Sequence, residues 1–143
     1  MLAVGNVKVT DLLMVTPPYI PEGAHAMTQI VELPPADAGL APHRHSGPVF
    51  GCVLERCVLF EIAGEEPREI VAGEAFWEPG GEVVHYQVAN LDREGWSRFL
   101  AVCICAPGVE MITCSNRRRS RRATIYAIQL PVNTADLTVT TPG

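Results

Sequence analysis

What most restricts the fold of this chain is its punctuation. Short β-prone runs recur, each cut off by Gly, Pro or Asp, and no long amphipathic helical pattern appears among them. The runs expected to form strands are Val7–Val15, Ala24–Leu33, Val49–Leu54, Val58–Ile62, Arg68–Val71, Val83–Ala89, Ser97–Cys105, Met111–Cys114, Ala123–Leu130 and Leu137–Thr140. Turn chemistry separates them at Thr16-Pro17-Pro18, Pro21-Glu22-Gly23, Gly64 to Pro67, Ala72-Gly73-Glu74, Pro79-Gly80-Gly81 and Ala106-Pro107-Gly108. Many short strands with regular breaks point to an all-β sandwich or barrel.

Length and composition set the outer bounds. At 143 residues, with 48% hydrophobic and 19% charged residues, the chain suits one soluble domain spanning 1–143. A net charge of −5 gives no general attraction to nucleic acid or an anionic membrane. The basic cluster Arg117-Arg118-Arg119-Ser120-Arg121-Arg122, in a loop over 115–122, lacks interleaved aromatics and reads as solvated, so nucleic acid is disfavoured as a partner. No apolar run is long enough for a transmembrane helix, and Met1 to Gly5 shows no signal-peptide pattern, so a cytoplasmic location is expected. Lys8 is the sole lysine, a bias that fits a GC-rich bacterial genome. The 5 cysteines include no Cys-x-x-Cys and are expected to be reduced, with Cys103 and Cys105 poorly placed for a mutual disulfide.

Three of the 4 histidines sit where a metal site can form: His43 and His45 in Pro42-His43-Arg44-His45, and His85 in Val84-His85-Tyr86-Gln87. Residues two apart on a strand project from one face, so His43 and His45 offer two imidazoles to one space. His85 on a neighbouring strand can add a third. Neutral imidazole binds most divalent transition metals, and the site residues do not choose among Fe, Zn, Ni, Cu and Mn. A metal-free barrel with a polar interior is the alternative.

Two longer segments carry a family resemblance. Gly39 to Glu55, containing Pro42-His43-Arg44-His45, resembles the first motif of the cupins, and Gly73 to Asn90, containing Pro79-Gly80-Gly81 and His85, resembles the second. The resemblance covers about residues 24–113. It implies a small antiparallel jelly-roll barrel, commonly a homodimer, with one divalent metal held at its inner mouth by His43, His45 and His85. The departures are specific. The glutamate usual four residues after the second histidine is Val49 here, and the tyrosine and glycine usual further on are Cys52 and Arg56. The carboxylate ligand is therefore expected to be missing. The centre then resembles the three-histidine iron sites of cysteine dioxygenase and the acetylacetone-cleaving dioxygenase.

Beside the metal, Gln87 shares strand parity with His85 and is a candidate fourth ligand or catalytic hydrogen-bond donor. Glu61 is a candidate acid or base if its strand turns it inward. Gln29 lies among Met27, Val31 and Leu33 on an expected barrel wall and is a candidate pocket residue. Glu55 and Glu78 flank turns and read as solvated. His25 and Tyr86 read as surface and packing residues. With no cation placed inside, a small, mostly apolar carbonyl compound is the expected substrate. Two enzymatic chemistries fit the expected centre: an Fe(II) dioxygenase, or a Lewis-acid isomerase, cyclase or lyase. A non-catalytic small-molecule-binding or sensing cupin is the alternative.

Overall fold

The computed structural model describes residues 3–115, and the expected strands Ala123–Leu130 and Leu137–Thr140 and the loop at 115–122 lie partly or wholly outside that range. Among the described residues there is no helix. The elements are β1 (Ala3–Val4), β2 (Val7–Lys8), β3 (His25–Leu33), β4 (His43–His45), β5 (Val49–Glu55), β6 (Cys57–Ile62), β7 (Arg68–Val71), β8 (Ala75–Glu78), β9 (His85–Ala89), β10 (Ser97–Cys105) and β11 (Ile112–Cys114).

All strand pairs are antiparallel. One sheet runs β3-β10-β5-β8, a second runs β11-β4-β9-β6-β7, and β1 and β2 form a separate ribbon. From β3 onward every connection except β6–β7 crosses between the two sheets, which makes this a two-layer jelly roll, as the strand spacing and the cupin resemblance predicted. The core lies between the layers. Val53, Phe76 and Phe99 from the first sheet meet Val58, Phe60, Ile62, Ile70 and Val88 from the second in one cluster. Alternation explains it. Along β10, Ser97, Phe99, Ala101, Cys103 and Cys105 are buried while the residues between them are half-exposed, the period-two pattern of a strand with one face inward.

Close contacts depend on two glycines. A Cβ on Gly51 would lie 2.1 Å from the Phe76 ring. The absence of a side chain there lets Phe76 fill the barrel beside its cross-strand partner. Gly80 has φ +74°, and a Cβ on it would lie 2.1 Å from the Gly47 carbonyl oxygen. The Pro79-Gly80-Gly81 turn thus presses against the end of β4, and Gly81 N–H donates to the His45 carbonyl at 2.8 Å.

Two features differ from the sequence reading. Of the run Val7–Val15, only Val7–Lys8 is strand, paired with Ala3–Val4, and Leu12, Leu13 and Met14 are exposed. A strand persists only where a partner takes up its backbone groups, and the short ribbon ends at Lys8. Conversely, Ala75–Glu78 forms a strand that its flanking turn residues concealed. The cysteines are free, as expected of reduced residues.

Candidate metal centre

The histidines converge. β4 meets β9 at a single register pair, His43 opposite His85, and His45 follows on the same face of β4. The rings of His43 and His45 lie 4.9 Å apart, those of His43 and His85 4.9 Å, and those of His45 and His85 6.2 Å. One ligand atom from each falls within 4.8 Å of the others. Phe60 packs its ring 4.9 Å from His85 and restrains it.

A carboxylate joins them from the other sheet. Glu78, 4% exposed, places Oε1 3.0 Å from His85 Nδ1 and Oε2 3.4 Å from His45 Nε2. It is the direct cross-strand partner of Val49. The carboxylate absent from position 49 is thus present one strand away, on the same inward face. The reading of Glu78 as solvated is corrected here. Phe76 is a buried aromatic, and on a strand Glu78 shares its face. Parity from Phe76 was the signal that could have found it.

The hydrogen bonds determine which atoms carry lone pairs. A carbonyl only accepts, so His43 Nδ1 donates to Ala41 O at 2.7 Å and His85 Nε2 donates to Gln87 O at 3.0 Å. In the neutral rings His43 Nε2 and His85 Nδ1 are then bare. His43 Nε2 lies 3.2 Å from His45 Nε2. His85 Nδ1 faces the Glu78 carboxylate at 3.0 Å, an ion pair whenever that ring carries its second proton. Ring nitrogens of three imidazoles meet at one focus with the Glu78 carboxylate beside it, and such a focus needs a positive charge, as protons or as a metal ion. Donor separations of about 3.3 Å are what bonds of roughly 2.0–2.1 Å around a tetrahedral metal require. The two backbone carbonyls orient the rings as outer-shell partners do in metal sites. The residues present therefore fit a divalent transition metal.

Electrostatics agree. Burial holds His43 below its ordinary pKa, against the opposing effect of the Ala41 hydrogen bond. Burial also lowers His45 to about 4, the pull of Glu78 only partly opposing it. These two rings stay neutral at physiological pH, the form that ligates metal. For Glu78, burial pushes the pKa up, but charge and hydrogen bonding from His85, with His45 and His43, outweigh it and hold the carboxyl below its usual range. It is ionised.

The centre opens on a cavity of about 90 Å³. Its walls are apolar, with Val31, Leu33, Phe76, Val88 and Phe99 prominent, and Gln29 and Cys103 also face it. Burial raises the Cys103 thiol to about 11, with smaller contributions from Cys105 and Glu78, so it stays protonated. No lysine or arginine lines the cavity among the described residues, and Arg44 turns outward to Glu82 at 2.9 Å.

The structure does not bring Gln87 and Glu61 to this cavity. β6 and β9 pair Glu61 with Gln87 but Ile62 with His85, so β9 carries an extra residue there. Such a bulge changes side-chain parity. His85 and Val88 face the cavity, whereas Gln87 and Glu61 pair on the opposite face with Leu59 and Ala89. Both are buried, and the Gln87 amide has no hydrogen-bond partner on either atom.

No family sequence model and no curated protein matches the chain. Solved structures do. A cupin-like protein from Thermotoga maritima superposes with TM-score 0.53 at 16% identity, over 68% of this chain and 69% of that one. The polyketide cyclase RemF from Streptomyces resistomycificus gives 0.52 at 19%, over 73% and 72%. The DMSP lyase DddQ from Ruegeria pomeroyi gives 0.52 at 20%, over 66% of this chain but only 45% of the lyase. At such identities the likeness is one of architecture, and it agrees with the strand order, the two motifs and the clustered histidines: this chain folds as a cupin.

Proposed function

We propose that this protein is a metal-dependent enzyme acting on a small, neutral, largely apolar carbonyl compound, with His43, His45 and His85 as the donor set and Glu78 as the carboxylate beside it. The observation that carries the reading is the convergence of three imidazoles beside a buried carboxylate. A bound divalent transition metal supplies Lewis-acid polarisation of a carbonyl, or an open position for dioxygen.

The chain's own residues favour the first of these. Glu78 is a carboxylate beside the histidines in an apolar chamber, so a proton acceptor is present that the sequence did not reveal. In this role it takes a proton from the carbon next to a carbonyl; returning that proton to another carbon of the substrate gives isomerisation, and passing it to a β-leaving group as the C–leaving-group bond breaks gives elimination. The apolar walls exclude water from the reacting carbon and strengthen each charge interaction within. The small cavity and the absence of a lining cation among the described residues disfavour sugar phosphates and multiply charged acids.

The experiment begins with elemental analysis of protein expressed in metal-supplemented medium, followed by assays on ketones, 1,3-diketones and a catechol. Proton exchange at the ketone α-carbon in D₂O is followed by NMR, and oxygen uptake by electrode. The expected result is about one equivalent of a transition metal and exchange or turnover without oxygen uptake. Oxygen uptake transfers the reading to a dioxygenase. Tight ligand binding with neither process makes the protein a binding cupin, and a folded protein that holds no metal removes both enzymatic versions.

A further inference from the structure

We infer that Gln29 is a specificity-determining residue, holding by hydrogen bond a second polar group of the substrate at the end of the cavity away from the metal donors. This rests on the function proposed above and narrows its substrate class to neutral molecules with a carbonyl at one end and a hydroxyl or carbonyl at the other.

The placement follows from strand register. Across the first sheet, Gln29 pairs with Ala101, Ala101 with Gly51, and Gly51 with Phe76. The next inward row runs Met27, Cys103, Val49, Glu78. Gln29 and Glu78 thus belong to the same inward face, on β3 and β8, the two outer strands of the four. Three strand spacings of about 4.8 Å separate their backbones along the sheet, and the cavity that both line lies between.

The chemistry follows from what else is there. Apart from the three histidines, Glu78 and the Cys103 thiol, Gln29 is the polar side chain facing the cavity among the described residues. Its neighbours on the inner face of β3 are Met27, Val31 and Leu33, all apolar. Its half-buried amide makes no side-chain hydrogen bond to a described residue. Ala101, its immediate partner in the row, is small, and the Phe76 ring that lies over Gly51 forms the wall beyond it. An amide offers a donor and an acceptor but no charge, so it selects a hydroxyl or carbonyl and gives a carboxylate no counter-ion. A cavity of about 90 Å³ holds roughly six to nine non-hydrogen atoms, at about 10–15 Å³ each.

The test uses the zinc-loaded full chain and two ligands of matched carbon skeleton, pentan-2-one and 5-hydroxypentan-2-one, titrated by protein NMR. The wild type is expected to bind the hydroxyketone about three- to tenfold more tightly, the range of one neutral hydrogen bond. Gln29→Leu is expected to erase that preference while keeping pentan-2-one affinity and the zinc content, and Gln29→Met, which keeps the side-chain length, repeats the test in a second background. An equal preference in wild type and variants, or none in the wild type, overturns the assignment while zinc binding leaves the metal centre standing. Failure of the wild type to hold zinc removes the metal reading and this inference with it, and the zinc analysis distinguishes the two failures.

Discussion

Glu78 changes what the three histidines can do. With its Oε1 3.0 Å from His85 Nδ1 and Oε2 3.4 Å from His45 Nε2, it supplies the negative charge that a divalent cation needs in a dry site. Glu78→Gln keeps the shape and removes the charge. The expected result is a loss of zinc affinity of at least 10- to 100-fold, read by competition with a chromophoric chelator. An unchanged affinity makes Glu78 a bystander to the metal. Acid titration probes the same residues without metal. His45 is lowered to about 4, so between that value and about 6.5 the unfolded chain binds a proton that the folded chain refuses. Stability therefore rises with pH through this window and falls as pH drops through it. The contribution is on the order of 3 kcal/mol between the two limits. Glu78, held low, acts in the same direction at more acidic pH, its stabilisation being lost as it protonates. Urea melts of the metal-free protein at pH 7, 5.5 and 4.5 check the slope, and His45→Phe is expected to flatten it. The histidines were legible because i,i+2 spacing on a strand leaves little freedom in where two rings point. Glu78 was not legible, because its neighbours Pro79 and Gly80 announce a turn more strongly than the four residues Ala75–Glu78 announce a strand.

At the scale of elements, irregularities decide the site as much as the regular ladder does. Parity counted from His85 puts Gln87 inward, and the extra residue in β9 reverses that. A bulge has no composition signature of its own, so one sequence cannot reveal it. The regular parts were more readable. Arg68–Val71 and Ser97–Cys105 are strands with the expected bounds, because alternation and flanking turn residues agree there. Asn90 caps the loop at the end of β9. Fully buried, it donates to Leu33 O, Pro34 O and Gly95 O at 3.2, 2.9 and 2.8 Å and accepts from Asp92 N at 3.0 Å. It ties β9 to the end of β3 and to the start of β10. Asn90→Ala strands several buried carbonyls, and the expected cost is about 2–4 kcal/mol, measured by urea unfolding. Gly51→Ala acts on another element. Its Cβ has no room beside Phe76, so the ring must move toward the cavity. A destabilisation of about 1–3 kcal/mol is expected, with weaker ketone binding by NMR.

On the scale of the whole molecule, the metal centre is a joint between layers. His43 and His45 come from β4, His85 from β9, and Glu78 from β8 of the other sheet. Within its own sheet β4 is held to β9 by one register pair and to β11 by three. The seam beside the site is therefore the thinnest part of the second sheet. A cation gripping the three imidazoles, with its charge facing Glu78 of the other sheet, fastens this seam and draws the two layers together, and it binds the folded state alone. Linkage then stabilises the fold by about 2.7 kcal/mol at a free concentration 100 times the dissociation constant. At this size each kcal/mol moves the midpoint by about 3–5 °C, so zinc is expected to raise the melting temperature by roughly 8–13 °C, and a chelator to reverse it. Location matters as much as magnitude. Amide exchange should slow most at His43–His45 and at β11, whose attachment to the rest of the sheet runs through β4. Glu78→Gln should retain part of that protection, since three imidazoles remain, whereas His43→Ala should abolish it. A uniform slowing across both sheets, or protection confined to residues remote from β4, would separate the cation's site from this joint.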